Sequence, residues 1–278
     1  MVPSANTPDW NSFGRAQASQ KWRRQSAAMG SDMTRAIIEA SRVTLGMCVL
    51  DIACGTGEPA ISLATLLAGG GQVVGVDLSP APLMIAQQRA MQRGLTNASF
   101  QQADAHDLPF PDNSFDCITS RLGAMFFSDL PRALKEMHRV LKPGGRATLL
   151  VWGPMEQPYF DTTIGTVLRM LPGSVVPESG RKMFALGRHG LLAQALRENG
   201  FSSAEERLVT VPWTWPGTPE EVWEYFQDVS VPFAPLLQSV PPEQSREISA
   251  EVLRSVSRYY DGAKINFTAK VNITVAVK

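Results

Sequence analysis

Hydrophobic and polar residues in the first half of the chain follow two different periods. Residues 49–52 are apolar apart from one acid, and the glycine turn Gly55-Thr56-Gly57 follows almost at once. Beyond the turn, apolar residues recur at the spacing of a helix that buries one face: Ala60, Leu63, Ala64 and Leu67. The pattern predicts a buried strand, a tight turn and a helix in succession, an arrangement that can bind a nucleotide.

Two further stretches read as strands that end in an acid. Residues 72–77 end in Asp77, and residues 99–104 end in Asp104. Because the carboxyl ends of parallel strands share one edge of a sheet, these acids would line one crevice together with Asp51. Each acid has a plainer alternative: Asp51 as a cap of the turn, Asp77 as a helix-start residue and Asp104 as an exposed loop acid.

The rest of the chain continues the alternation of helices and strands. Helices are predicted over residues 10–43, 79–93, 129–141 and 189–199, and strands over 115–120, 146–152, 204–211 and 271–277. Strands that alternate with helices indicate an α/β fold with a largely parallel sheet. Residues 153–188 and 212–262 interrupt this plan, are rich in proline and aromatic residues, and contain predicted helices at 220–227 and 243–260.

The glycine turn suits two kinds of ligand. Residues 55–60 also match the dinucleotide fingerprint, and Asp77 follows Gly55 by 22 residues, close to the spacing of a ribose-binding carboxylate. Asp51, however, would place a like charge beside a pyrophosphate. S-adenosylmethionine carries an ammonium and a sulfonium but no phosphate, so Asp51 favours it over NAD.

These motifs resemble those of class I S-adenosylmethionine-dependent methyltransferases, in particular the subgroup similar to the ubiquinone/menaquinone-biosynthesis C-methyltransferases. The matching segments are residues 49–57, 74–79, 102–115, 115–127 and 136–145. One departure is Ala53, which stands where the family often has the first of three alternating glycines. We expect the backbone path to survive there, with slightly less room.

The resemblance implies a doubly wound, mostly parallel seven-stranded sheet of the Rossmann-like methyltransferase kind, with an antiparallel last strand and a helical cap. Residues 1–44 would form an N-terminal helical cap segment. Residues 45–278 would form the cofactor-binding domain, with cap insertions at 153–188 and 212–262. An aromatic cap would favour an apolar or planar substrate, although its aromatic residues have the alternative role of burying the cap itself.

The resemblance also assigns cofactor-binding positions, namely Asp51, Ala53, Gly55, Gly57, Asp77, Leu78, Asp104, Ala105, Ser120 and Arg121. The backbone around Ala53 and Gly55 would hold the methionine part, and Asp51 would lie near its ammonium. Ser120 or Arg121 would border the sulfonium.

The adenosine part would meet the second and third strand ends. Asp77 would accept from the ribose hydroxyls, since a carboxylate can accept from two vicinal hydroxyls. Leu78 would pack on the adenine. Asp104 and the backbone N–H of Ala105 would read the adenine edge.

Substrate-binding candidates are Trp22, Met125, Phe126, Trp152 and His189. Trp22 has the alternative role of a packing anchor, and His189 is the best histidine candidate for a general base. Methyl transfer from a sulfonium depends mainly on holding the reacting groups in line, so a catalytic constellation is not required, and none is evident. The catalytic residues are therefore not assigned.

Composition narrows the possible partners. The chain has 278 residues and equal numbers of basic and acidic residues, 26 each, so no net charge directs it to nucleic acid. The three cysteines lie in or beside predicted strands, and no metal site is expected. The absence of an apolar run of membrane-spanning length and of a signal peptide makes a cytoplasmic location the default expectation.

The sequence thus predicts methyl transfer to a small-molecule acceptor at oxygen, nitrogen or carbon. The motif that clamps the amino group in nucleic-acid methyltransferases is missing after the fourth strand. An NAD-dependent oxidoreductase and a non-catalytic S-adenosylmethionine-binding protein are the alternatives. The acceptor and the oligomeric state are not predicted.

Overall fold

The structure, a computed structural model, describes residue 18 and residues 21–278. The described chain forms two compact units. The sheet unit comprises residues 33–153, 186–209 and 271–278, and the aromatic unit comprises the described part of residues 1–32 together with 154–185 and 210–270. Predictions for residues 1–17, 19 and 20 lie outside the described residues.

Regular structure covers most of the described chain. The helices of four or more residues are α1 (Arg23–Met29), α2 (Ser31–Ser41), α3 (Ala60–Leu66), α4 (Pro80–Gln92), α5 (Leu130–Val140), α6 (Pro158–Thr162), α7 (Ile164–Met170), α8 (Glu178–Met183), α9 (Leu191–Glu198), α10 (Pro219–Val229), α11 (Ala234–Gln238) and α12 (Pro242–Ser257). The strands are β1 (Cys48–Ile52), β2 (Gln72–Asp77), β3 (Ala98–Gln102), β4 (Phe115–Arg121), β5 (Leu141–Trp152), β6 (Ser203–Trp215) and β7 (Ile265–Val277). Short 3-10 turns lie at Ala124–Phe126 and Val231–Phe233.

The strands form one seven-stranded sheet in the order β3-β2-β1-β4-β5-β7-β6. The pairs from β3 through β5 are parallel, and β7 runs antiparallel to β5. The predicted fold class, a mostly parallel doubly wound sheet with an antiparallel last strand, is therefore confirmed. The order changes direction at β1 and β4, so the carboxyl ends of these two strands flank the crevice where such sheets bind ligands.

The sheet unit buries the apolar stripe that the sequence predicts after the glycine turn. Ala60, Leu63, Ala64 and Leu67 of this stripe are all buried and pack with Val49, Val73 and Cys117 in one core cluster. On α4, the residues Leu83, Ala86 and Ala90 are buried as their spacing predicts. This burial fixes α3 and α4 against the sheet and so fixes the turns that precede them.

Four strand boundaries differ from the prediction by more than one residue, and the first is that β3 ends at Gln102, two residues early. β5 begins at Leu141, and the residues between Leu141 and the predicted start at 146 lie within a register irregularity between β4 and β5. β6 continues past Pro212 to Trp215, and β7 begins at Ile265. A proline normally argues against a central strand, but β6 is an edge strand, where a missing N–H costs no ladder bond.

The aromatic unit has its own core of packed rings. The ring centroids of Tyr159 and Trp213 are 4.4 Å apart, and those of Phe226 and Phe233 are 5.8 Å apart. Trp215 and Phe226 are fully buried. The predicted helices at 220–227 and 243–260 are confirmed as α10 and α12. Most of the aromatic residues therefore stabilise this unit itself, and a role as a cap stays a prediction.

Among residue 18 and residues 21–278, no helix is both long enough and apolar enough to cross a membrane.

Candidate cofactor site

The site begins at Asp51, a carboxylate that is fully buried near the end of β1. Asp51 and Thr119 are register partners on neighbouring parallel strands, so their side chains lie on the same face of the sheet. The hydroxyl of Thr119 donates to Asp51 Oδ1 at 2.8 Å, and the N–H of Ala60 donates to Asp51 Oδ2 at 3.0 Å. Asp51 thus binds the first N–H of α3, the helix that follows the glycine turn.

Burial raises the pKa of Asp51 to about 7, because the charged carboxylate loses its hydration. The two hydrogen bonds and the positive charge of Arg121 lower the pKa but do not cancel the effect of burial. Near neutral pH a charged ligand can therefore change the protonation of Asp51. A cation favours the carboxylate, and an anion favours the protonated acid. With both oxygens bonded within the protein, it would act on a ligand through its charge.

The turn after β1 follows a left-handed backbone path. The φ angles are +58° at Ala53, +54° at Gly55 and +106° at Gly57. A Cβ at Gly57 would lie 2.6 Å from the Ile61 side chain, whereas a Cβ at Gly55 would meet nothing within 4 Å. Gly57 is thus required for packing on α3, while Gly55 borders open space that a ligand can use.

Ala53 lies against the segment that follows β4. A Cβ at Gly123 would lie 2.5 Å from Ala53 Cβ and 2.8 Å from Ser120 Oγ. The Ser120 side chain is buried, and its hydroxyl has no hydrogen-bond partner among the described residues. Because buried hydroxyls are normally bonded, this group is a candidate for binding a polar ligand atom.

Asp77, at the end of β2, is joined to the glycine turn. Asp77 Oδ2 accepts from the N–H of Gly55 at 2.9 Å, and Oδ1 accepts from the N–H of Ser79 at 2.9 Å. Each carboxylate oxygen keeps a further lone pair, so these bonds leave Asp77 able to accept from ligand hydroxyls. The next residue, Leu78, is 63% exposed, so its apolar surface can contact a planar ring.

Arg89 of α4 also holds the glycine turn, and the sequence reasoning missed it. Its guanidinium donates to the Thr56 carbonyl at 2.5 Å and to Glu58 Oε1 at 2.8 Å. The Arg89 side chain is only 12% exposed. The signal in the sequence is that Arg89 is the single charged residue of α4.

Asp104 lies in the turn after β3 and is bonded to His106. Asp104 Oδ1 accepts from the backbone N–H of His106 at 2.9 Å and contacts His106 Nδ1 at 2.5 Å. Partial burial raises the pKa of Asp104, but the hydrogen bonds from His106 outweigh it and hold the pKa below its usual value. The neighbouring Ala105 is buried.

Three of the predicted substrate-binding residues lie at or just after the carboxyl ends of β4 and β5. Met125 and Phe126 form the 3-10 turn after β4, and Trp152 is the last residue of β5, the strand next to β4. Met125 and Trp152 are buried.

The other two candidates lie elsewhere. His189 precedes α9, has a side chain that is 59% exposed, and contacts Glu206. Trp22 belongs to the aromatic unit, where its ring lies 5.5 Å from that of Trp215 and its Nε1 donates to Asp228. The packing role of Trp22 is thus observed, and substrate roles for both residues stay predictions.

The segment that carries most of this site is similar to known proteins. Residues 49–145 match the family model described as a methyltransferase domain. The ubiquinone/menaquinone biosynthesis C-methyltransferase of Cellvibrio japonicus is 47% identical over 117 residues, which cover 42% of this chain and 47% of the relative. That of a Marinomonas strain is 42% identical over 123 residues, or 44% and 49% of the two chains.

The fold of the chain is also similar to that of solved structures. A putative methyltransferase from Bacillus halodurans matches with a TM-score of 0.57 and 22% identity, over 88% of this chain and 98% of that chain. The predicted resemblance is confirmed, since residues 49–145 match a methyltransferase domain and part of the chain matches a C-methyltransferase. The chain spans about half the length of the curated relatives that it matches.

The left-handed backbone at Ala53 lets us predict how a substitution there changes the free energy of unfolding. Replacing Ala53 by glycine removes a strain of roughly 1–2 kcal/mol, partly offset by the greater freedom of glycine in the unfolded chain. We expect Ala53→Gly to raise the free energy of unfolding by about 0.5–1 kcal/mol in urea denaturation. The matched control, Ala64→Gly in α3, should lower it, and a loss of stability in both variants would contradict the account.

The raised pKa of the buried Asp51 predicts how the free energy of unfolding depends on pH. Since the pKa of Asp51 is about 7 in the folded chain, against an ordinary aspartate value of 3.8, the folded state binds more protons between these values. The stability that Asp51 contributes is therefore greatest below pH 4 and falls as the pH rises to 7. Asp51→Asn should remove this fall, which amounts to a few kcal/mol because one pKa unit corresponds to about 1.4 kcal/mol.

The measurement is urea denaturation of both proteins across this pH range, with the exposed Asp112→Asn as control. A constant difference in unfolding free energy between the wild-type protein and Asp51→Asn would show that Asp51 does not titrate as proposed.

Proposed function

We propose that this chain binds S-adenosylmethionine at the carboxyl ends of β1, β2 and β3 and transfers its methyl group to a small-molecule acceptor. The observation that carries the proposal is the joint position of a buried acid, Asp51, and a second acid, Asp77, that is bonded to the glycine turn. The open space at Gly55 gives a ligand backbone contact beside both.

The charge of the site supports this ligand over a dinucleotide. A ligand ammonium near Asp51 stabilises the charged carboxylate and offsets part of its lost hydration. A pyrophosphate at the same place would repel the charged carboxylate and would shift Asp51 toward its protonated form. The NAD-dependent oxidoreductase is therefore the less favoured alternative.

The remaining cofactor roles are proposed from the same strand ends. Asp77 would accept from the ribose hydroxyls with the lone pairs that its backbone bonds leave. The exposed Leu78 would cover one face of the adenine. Asp104, whose side chain is 49% exposed, and the N–H of Ala105 would contact the adenine edge.

The chemistry requires position more than reactive side chains. When bound, the cofactor supplies a methyl group on a sulfonium whose leaving group is a neutral thioether. Ser120 and Arg121, at the end of β4, would border the methyl group and orient it. Met125, Phe126 and Trp152 would exclude water and hold the acceptor in line. His189 would be needed as a general base only for an acceptor that carries a proton of high pKa.

The proposal extends to the chemical nature of the methyl acceptor, which we expect to be apolar or aromatic. It is supported by the run Met125-Phe126-Phe127, which begins four residues after the end of β4 and is apolar throughout. The relatives are named as C-methyltransferases, so methylation at carbon is one of the three acceptor chemistries to test. That the acceptor is not a nucleic acid and that the protein is cytoplasmic are parts of the same proposal.

Calorimetric titration of the purified full chain tests the cofactor. We expect heat of binding with S-adenosylhomocysteine, the demethylated product, and none with NAD. Asp77→Ala should weaken S-adenosylhomocysteine binding by about 1–3 kcal/mol, because ribose hydroxyls would lose their acceptor. The exposed Asp112→Ala, with a side chain that is 69% exposed, is the matched control and should bind as the wild-type protein does.

Binding of NAD but not of S-adenosylhomocysteine would contradict the proposal and support the alternative, an NAD-dependent oxidoreductase. Unchanged affinity in Asp77→Ala would remove the ribose assignment. Formation of S-adenosylhomocysteine from S-adenosylmethionine with a panel of phenolic, amine and quinol acceptors separates the enzyme from a binding protein without turnover.

A further inference from the structure

His106 makes two opposed hydrogen bonds through the two nitrogens of its ring. Nε2 accepts from the backbone N–H of Asp129 at 3.2 Å, and Nδ1 lies 2.5 Å from Asp104 Oδ1. Because Nε2 is an acceptor, the ring proton of the neutral histidine belongs on Nδ1, which then donates to Asp104. The His106 side chain is only 15% exposed, so these bonds are largely protected from water.

The same residue joins two loops of the sheet unit. Besides the bond from Asp129, the Arg132 side chain donates to the His106 carbonyl at 2.8 Å. The rings of His106 and Phe127 meet edge to face at 6.0 Å. His106 therefore fixes the turn after β3 to the segment that follows β4.

The two carboxylate oxygens of Asp104 differ in their hydrogen bonding. Both hydrogen bonds from His106 fall on Oδ1. Among the described residues, none is made to Oδ2, although the Asp104 side chain is 49% exposed. One oxygen is thus committed to holding the carboxylate in place, and the other is available to a ligand.

We propose that His106 is a positioning residue that sets the specificity of the cofactor site for adenine. By donating to Oδ1, it fixes the orientation in which Asp104 Oδ2 accepts from the 6-amino group of the base. A base with a 6-oxo group would place an oxygen against that carboxylate and be rejected. This inference rests on the proposed function, since it assigns a specificity device to the same site.

Two substitutions separate the two bonds of His106. His106→Asn retains an N–H donor near the position of Nδ1 but loses the acceptor for Asp129. His106→Gln retains an acceptor near the position of Nε2 but loses the donor to Asp104. If His106 served only to join the two loops, the glutamine variant would be the better replacement.

The test compares calorimetric affinities for S-adenosylhomocysteine and S-inosylhomocysteine, in which a 6-oxo group replaces the 6-amino group. We expect the wild-type protein to prefer the adenine ligand by about 10-fold or more, as a hydrogen bond to a charged acceptor implies. The preference should persist in His106→Asn and fall severalfold in His106→Gln. His138→Asn, which changes a histidine that packs on Phe201, is the matched control and should keep the wild-type preference.

Equal preference in the asparagine and glutamine variants, whether kept or lost, would overturn the role of His106 while leaving the proposed function intact. A glutamine variant more selective than the asparagine variant would do the same. Failure of the wild-type protein to bind either ligand would overturn the proposed function and this inference together. Thermal unfolding of each variant shows whether a loss of binding reflects a loss of folding.

Discussion

The geometry of the site depends on the hydrogen bonds of one buried carboxylate. Asp51 bonds to Thr119 on β4 and to the first N–H of α3, so it connects two strands and the helix that follows the glycine turn. A buried charge is costly unless it is bonded, and these bonds stabilise it without removing the cost. The strand, turn and helix are therefore held in one arrangement, and the residual cost is what a cation at the site would relieve.

The other parts of the site are fixed relative to that arrangement. Asp77 binds the backbone of the glycine turn, and Arg89 binds two further residues of the same turn. Gly123 allows the segment after β4 to approach Ala53 closely. The turn is thus held from β2, α4 and β4, which makes its backbone a rigid surface for a ligand and limits the conformational cost of binding.

Local pattern was sufficient to predict the presence of the strands, the glycine turn and the helices behind it, because each depends on the residues next to it. The acids at 51 and 77 follow from the same rule, since each is one of the last two residues of a strand, and Asp104 lies two residues beyond the end of β3. Thr119 could not be predicted, because its bond to Asp51 joins residues 68 positions apart and leaves no local signature. The same holds for Arg89 and His106, whose roles depend on how α4 and the loop after β4 pack. The length of β6 was underestimated because the tolerance of Pro212 depends on its being an edge strand, which only the sheet order reveals.

Proton release on binding is the most direct measure of the central claim, that the charge of Asp51 recognises the ammonium group of the ligand. Titration of S-adenosylhomocysteine at pH 7, in buffers of different ionisation enthalpy, counts the protons exchanged. With a pKa of about 7, Asp51 is about half protonated at that pH, so a nearby ammonium should release up to about half a proton per ligand. Asp51→Asn should abolish the release. Proton uptake by the wild-type protein, or release that persists in Asp51→Asn, would contradict the account.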